Sequence, residues 1–205
     1  MSEQIKEEIK ITFLGGASVG KTSIIKKFCS DIFYEDESSI MEYSEFTKQM
    51  EFNGKKININ CIDTTSKENF LNYNVDIFQI KNAIKESSGI ILVYSPDKED
   101  SFNSIKSFWF KTILSEAFTE KKEEKIEKNL QPEKEPIIAI VMNKNDLKTG
   151  DMYGQKSLGE NFAKANKTLF FITSAKTGEG INELFYRIVE EIKGEKRKSS
   201  CCLCS

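Results

Sequence analysis

Histidine is absent from this chain of 205 residues, and with it go the commonest general base and the commonest metal ligand. Any chemistry must come from carboxylates, lysines, hydroxyls or a bound metal. Neither sign of charge dominates: 30 Lys and Arg stand against 32 Asp and Glu, a formal net charge of −2. Such a balance provides no global field for nucleic acid, which is not an expected partner. Cysteines are few and badly placed for a disulfide framework. Of the five, Cys29 and Cys61 fall in apolar segments and are expected in the core, whereas Cys201, Cys202 and Cys204 crowd the C-terminus. No apolar run approaches membrane-spanning length. The first residues, with Glu3, Glu7 and Glu8, lack the basic start and apolar stretch of a signal peptide, so a cytosolic protein is expected.

What is present is apolar material for one sizeable core, 39% of residues, in a length that suits one domain. The chain is organised around Gly15-Gly16-Ala17-Ser18-Val19-Gly20-Lys21-Thr22, which fits G-x-x-x-x-G-K-[ST]. Ile9, Ile11, Phe13 and Leu14 before it read as a buried strand. Residues 23–28 after it continue as a helix with Ile24, Ile25 and Phe28 on one side. The glycines let the backbone turn tightly, so that successive N–H groups and the helix N-terminus form a cradle for phosphate oxygens. Lys21 is placed to reach the outer phosphates and the Thr22 hydroxyl to hold Mg²⁺.

Further along, residues 31–45 are acidic and aperiodic and read as an exposed loop. Two strand-like runs, 46–52 and 57–62, flank Asn53-Gly54, a hairpin signal because both residues tolerate positive φ in a type I′ turn. A helical pattern over 70–84 precedes the apolar strand 90–94. Asp100 or Ser101 is the expected cap of the helix carrying Phe102, Ile105, Trp109, Ile113 and Leu114. After Pro136 comes the buried strand 137–142, then a short helix over 157–166, a strand over 169–173 and an amphipathic helix over 181–192. Apolar strands alternating with helices predict an α/β fold. Its mostly parallel six-stranded sheet would have one antiparallel edge strand and helices on both faces. In such folds ligands sit at the carboxyl ends of strands. The loop at 15–22, Asp63, the segment Asn143-Lys144-Asn145-Asp146 and Ser174-Ala175-Lys176 all follow strands, so they converge at one pole.

This ordered set of motifs resembles the Ras superfamily of small GTPases, and more closely its Rab and Ras branches, over residues 9–193. The resemblance implies a P-loop G domain over 1–193 that binds GTP or GDP with Mg²⁺. Gly15, Ala17, Ser18, Val19, Gly20, Lys21, Thr22 and Ser23 would surround the phosphates, and Asp63 would join Thr22 at the metal. Asp146 would accept hydrogen bonds from two guanine N–H groups, a pattern adenine does not offer. Lys144 and Lys176 would lay their stems on the purine faces, with Phe33 packing edge-on. Asn143 would tie the base loop to the P-loop, Ser174 would belong to the base-reading segment, and the Ala175 N–H would donate to the guanine keto oxygen.

The switch segments depart from the family pattern. Where a threonine is usual in the first switch, Ser38-Ser39-Ile40 offers serines; Ser39 takes the metal position with a one-residue gap, and Ile40 or Met41 without it. At the second, the usual Asp-Thr-Ala-Gly-Gln-Glu is Asp63-Thr64-Thr65-Ser66-Lys67-Glu68. Ser66 keeps a backbone N–H for the γ-phosphate but loses glycine's freedom. Lys67 has no acceptor with which to orient a water, so slow intrinsic hydrolysis is expected. A methyl at Ala17 would crowd an incoming arginine finger.

Dense Glu and Lys over 118–135 read as a solvated extension at the pole away from the nucleotide. Residues 194–205 read as a flexible basic tail. Lys196, Arg197 and Lys198 precede Cys201-Cys202-Leu203-Cys204-Ser205, in which Cys202 begins a C-a-a-X signature and Cys201 is a second lipidation candidate. One lipid anchors marginally, whereas a second lipid or a basic patch makes anchoring stable. The expectation is a lipid-anchored GTPase switch on the cytoplasmic face of membranes, in signalling or vesicle trafficking. Its partners would be effector, exchange-factor and GTPase-activating proteins. The alternative is a non-hydrolysing guanine-nucleotide-binding scaffold on membranes. An ATP-using P-loop kinase is disfavoured by Asp146 and residues 174–176.

Overall fold

In a computed structural model of the chain, the described residues are 7–35, 43–64, 77–118, 135–147 and 151–195. The most apolar segments form the middle of the sheet. Strand β1 (Glu8–Gly15) lies between β3 (Lys55–Asp63) and β4 (Gly89–Tyr94), followed by β5 (Ile137–Met142) and β6 (Leu169–Ile172), all parallel. Every residue of β4 is buried, as expected for a parallel strand covered on both faces. Strand β2 (Ser44–Phe52) closes the order β2-β3-β1-β4-β5-β6 as the antiparallel edge. It turns outward Glu45, Thr47, Gln49 and Glu51 and inward Phe46, Lys48, Met50 and Phe52, the alternation of a strand with one wet face. The hairpin signal holds. Asn53 (φ 52°) and Gly54 (φ 80°) form a two-residue turn that sets Phe52 opposite Lys55.

Alternation along β4 assigns the helices to the two faces. Ile91 and Val93 join a cluster with α1 (Lys21–Ser30) and α5 (Ile181–Lys193). Ile90, Leu92 and Tyr94 join another with α2 (Ile77–Glu86), α3 (residues 99–118) and α4 (Met152–Ala165). Helix α3 is continuous from Glu99–Ser104 through a π-helical stretch, Ile105–Trp109, to Phe110–Phe118. On α5 the buried residues are Ile181, Leu184, Phe185, Ile188 and Val189, spaced to make one stripe. Phe185 stacks on Phe28 of α1 with ring centroids 3.5 Å apart. Each such buried ring contributes about 1.5–3 kcal/mol. This packing fixes α1, and therefore the loop before it, against the sheet.

Several expectations shift. Helix α4 begins at Met152, not 157, because Asp151 caps it by accepting the Gly154 N–H at 3.2 Å. Gly154 and Gly159 depress local helix propensity and hide that first turn from a periodicity reading. The cap of α3 is Lys98, not Asp100 or Ser101. Ser101 lies one turn inside, where its hydroxyl bonds to the Lys98 carbonyl at 2.6 Å and accepts the Ser95 N–H at 3.1 Å. Cys61 is buried as expected, but Cys29, on the last turn of α1, is only half-buried. Of the helical pattern over 70–84, residues 70–76 lie outside the described residues. Among the described residues no helix is long and apolar enough to cross a membrane.

Candidate nucleotide-binding site

Parallel strands direct their carboxyl ends to one pole, and the candidate segments follow β1, β3, β5 and β6 there. The loop after β1 depends on backbone conformations that favour glycine. Gly15 has φ 150° and approaches β4 so closely that a Cβ would lie 2.3 Å from the Val93 carbonyl oxygen. Gly20 (φ 93°) caps α1, and a Cβ there would lie 2.3 Å from Asn143 Nδ2. No side chain caps α1 and its first turn holds no acidic residue, so its positive end is left for an anion.

Lys21 is buried, and its ammonium donates to the carbonyls of Gly15 (3.2 Å) and Gly16 (2.9 Å). The loop thus wraps its own cation, the conformation that would surround a phosphate. Beside it, the Thr22 hydroxyl donates to Asp63 Oδ2 at 2.5 Å, and Asp63 is fully buried at the end of β3. These are hard oxygen donors, a hydroxyl and a carboxylate in contact, and they fit Mg²⁺. That ion commonly takes one or two protein oxygens and completes its shell with phosphate and water. Ala17, Ser18, Val19 and Ser23 occupy the loop and the first helical turn; Val19 is buried and Ser18 adopts φ 57°.

Asn143 connects three segments. Its Nδ2 donates to the Val19 carbonyl at 3.0 Å, while its Oδ1 accepts the Thr173 hydroxyl (3.1 Å) and the Ala175 N–H (3.2 Å). The loops after β1, β5 and β6 therefore meet at one buried side chain. A guanine keto oxygen would have to share the Ala175 N–H with Asn143. Asp146 is oriented by Ser174, whose hydroxyl donates to Asp146 Oδ1 at 2.5 Å and accepts the Thr177 N–H at 3.1 Å. Asn145 joins the same two loops through its N–H to the Thr173 carbonyl (3.0 Å) and its side chain to Glu179.

Lys144 and Lys176, in the loops after β5 and β6, are both held by carboxylates that the sequence motifs do not include. Lys144 Nζ lies 2.9 Å from Asp97 Oδ2, and the Ser95 hydroxyl donates to Asp97 Oδ1. Burial works to raise the Asp97 pKa, yet the bonds from Ser95 and Lys144 hold it below the ordinary value. Lys176 Nζ lies 2.6 Å from Glu35 Oε1. The hydrogen bond and charge of each move the other, Lys176 upward and Glu35 downward. This pair places the segment of half-buried Phe33 beside the loop after β6. A signal for Asp97 was available, since Tyr94-Ser95-Pro96-Asp97 also leaves a strand at this pole. Glu35 carried no such signal. Ser39, Ser66, Lys67, Cys201 and Cys202 lie outside the described residues.

A glycine-rich loop between a central parallel strand and a helix with no side-chain cap, with a buried lysine and a Thr–Asp oxygen pair, defines a P-loop nucleotide-binding domain. Comparison with known proteins makes this narrower. Residues 10–194 match the Ras family. The chain is similar to the Ras-related protein Rab-21 of Mus musculus, 29% identical over 192 residues that cover 92% of this chain and 76% of that protein. It is also similar to the Ras-related protein SEC4 of Saccharomyces cerevisiae, 28% identical over 185 residues, 90% and 75% of the two chains. A third relative is the DnaJ homolog subfamily C member 27 of Rattus norvegicus, 29% identical over 178 residues that span 86% of this chain and 58% of that protein. The chain belongs to the Ras family of small GTPases.

Proposed function

We propose that this protein is a divergent, Rab-like GTP/GDP switch, anchored to membranes by its C-terminal cysteines, whose intrinsic hydrolysis is slow. The observation that carries the nucleotide reading is Asn143, which joins the phosphate loop at Val19 to the base-reading loop at Ala175. One ligand spanning phosphate and purine ends would use both. In this reading Asp146, oriented by Ser174, selects guanine. Lys144, Lys176 and Phe33 flank the ring, and Lys21 neutralises charge developing on the outer phosphates. Thr22 and Asp63, with Ser39, would hold Mg²⁺, which when bound shields the phosphate oxygens and stabilises negative charge as the terminal bond breaks.

Attack on the γ-phosphate needs an oriented water. Lys67 carries only donors, so it cannot accept from that water as an amide would. It would pair instead with the phosphate and prolong the GTP state, with Ser66 donating its N–H. Intrinsic turnover in Ras is about 10⁻⁴ s⁻¹, and a lower rate is expected here. Single-turnover hydrolysis of bound GTP, comparing wild type with Lys67→Gln, tests this. A faster variant supports the reading, and a wild type at ordinary small-GTPase rates refutes it.

The second reading, a non-hydrolysing membrane scaffold, is favoured by the same Lys67 and predicts no turnover even with regulators added. Anchoring rests on Cys202 in its C-a-a-X setting, Cys201 beside it and the basic residues before them. Vesicle traffic, exchange factors and effectors are what Rab-like relatedness supports. Membrane fractionation of wild type against a Cys201→Ser/Cys202→Ser variant tests the anchor, and unchanged partitioning would contradict it.

A further inference from the structure

The loop after β4 carries none of the motifs at this pole, yet it reaches Lys144. Ser95 is fully buried, and its hydroxyl is spent on Asp97 Oδ1. The other oxygen of that carboxylate accepts Lys144 Nζ at 2.9 Å, and each partner's side chain is only 26% exposed. The loop is held from within. Lys98 N–H donates to the Ser95 carbonyl at 3.1 Å, and the Ser101 hydroxyl accepts the Ser95 N–H at 3.1 Å. Lys144 is constrained at its other end as well, by a left-handed backbone (φ 62°) beside the bond from Asn143 N–H to the Tyr94 carbonyl at 2.9 Å. A lysine stem normally samples many rotamers; this one is fastened at both ends. The Lys176–Glu35 pair differs, at 52% and 72% exposed, and is open to screening by salt.

We infer that Asp97, oriented by Ser95, is a positioning residue for Lys144, holding the lysine stem as a preformed wall for the purine and so setting how long a guanine nucleotide stays bound. The inference rests on the guanine-nucleotide reading of the site. Asp97 acts through Lys144 and does not touch the ligand. An untethered lysine would lose its rotamer freedom when the base arrives, whereas a tethered one has lost it on folding. The difference should appear chiefly in the rate of release.

The test is displacement of N-methylanthraniloyl-GDP by excess GDP in Mg²⁺ buffer, from full-length wild type, Asp97→Ala, Asp97→Asn, Lys144→Ala and the Lys144→Ala/Asp97→Ala double variant. Asp97→Ala and the isosteric Asp97→Asn should each release nucleotide about five- to tenfold faster, as expected for losing a charge-assisted bond that is partly shielded. The double variant should release at the rate of Lys144→Ala alone, a non-additivity that a purely structural role for Asp97 would not produce. Release at the wild-type rate from Asp97→Ala, or full acceleration persisting in the Lys144→Ala background, overturns the inference while leaving the guanine reading intact. Wild type that fails to hold the labelled GDP at micromolar concentration overturns both.

Discussion

Replacing Asn143 by alanine removes a side chain that joins the loops after β1, β5 and β6. Three partners lose a bond: the Val19 carbonyl, the Thr173 hydroxyl and the Ala175 N–H. Val19 is fully buried, as is Thr173, Ala175 is 3% exposed, and Asn143 itself 1%, so water does not readily replace the amide. A buried polar group left without its partner costs about 1–3 kcal/mol. Three such groups, partly relaxed by rotation of the Thr173 hydroxyl, give a loss of about 3–5 kcal/mol. Against a total stability of about 5–15 kcal/mol this is a large fraction. The assay is urea unfolding of nucleotide-stripped protein, where a lower midpoint at unchanged slope reports stability alone. Repeated with the same excess of GDP, wild type should gain more than the variant, because the stabilisation by a ligand rises with the logarithm of its affinity and the variant's two halves of the pocket are no longer tied. A loss below about 1 kcal/mol without nucleotide would falsify the assignment of Asn143 as the joint of the site.

Three other outcomes follow from the packing and charge. Gly159→Ala should lower the melting temperature although alanine favours helix by about 1 kcal/mol, because the new Cβ would stand 2.2 Å from Tyr94 Oη and 2.5 Å from the Phe170 ring. Overpacking of this kind costs about 1–3 kcal/mol, and a higher melting temperature would contradict the close approach of α4 to β4. Gly20→Ala should speed labelled-GDP release about tenfold or more, since it combines left-handed strain at φ 93° with displacement of the Asn143 amide; retention equal to wild type would count against it. Asp97 is held below its ordinary pKa, so its contribution is complete above about pH 3.9 and disappears as pH falls through the depressed folded value. The stability difference between wild type and Asp97→Asn should therefore be flat from about pH 5 to 8 and close in acid, and a difference that grows in acid would reverse the assigned sign.

Much of the site was legible because its signals are local. The spacing from Gly15 to Thr22 specifies a tight backbone path and a helix N-terminus whatever surrounds them, and Asn53-Gly54 specifies a two-residue turn by φ preference alone. The all-apolar runs of β4 and β5 announced strands covered on both faces, and that placed every following loop at one pole. The start of α4 was obscured by Gly154 and Gly159, whose low helix propensity is overridden by the Asp151 cap and by the close packing on Tyr94 that Gly159 permits.

The sequence by itself determined which residue types arrive at the carboxyl pole and in what order, because strand burial, turn chemistry and the phosphate-loop pattern act over a few neighbouring residues. Only the tertiary structure decided their pairing. Asn143 reaches Val19 across 124 positions and Glu35 reaches Lys176 across 141. Asp97 meets Lys144 because β4 and β5 are adjacent and in register, Tyr94 opposite Met142, so their two exit loops lie side by side. An aspartate three residues beyond a strand carries no mark of the lysine it will hold. That partnership is created by strand order, and strand order is set by how two apolar faces are covered rather than by any one motif.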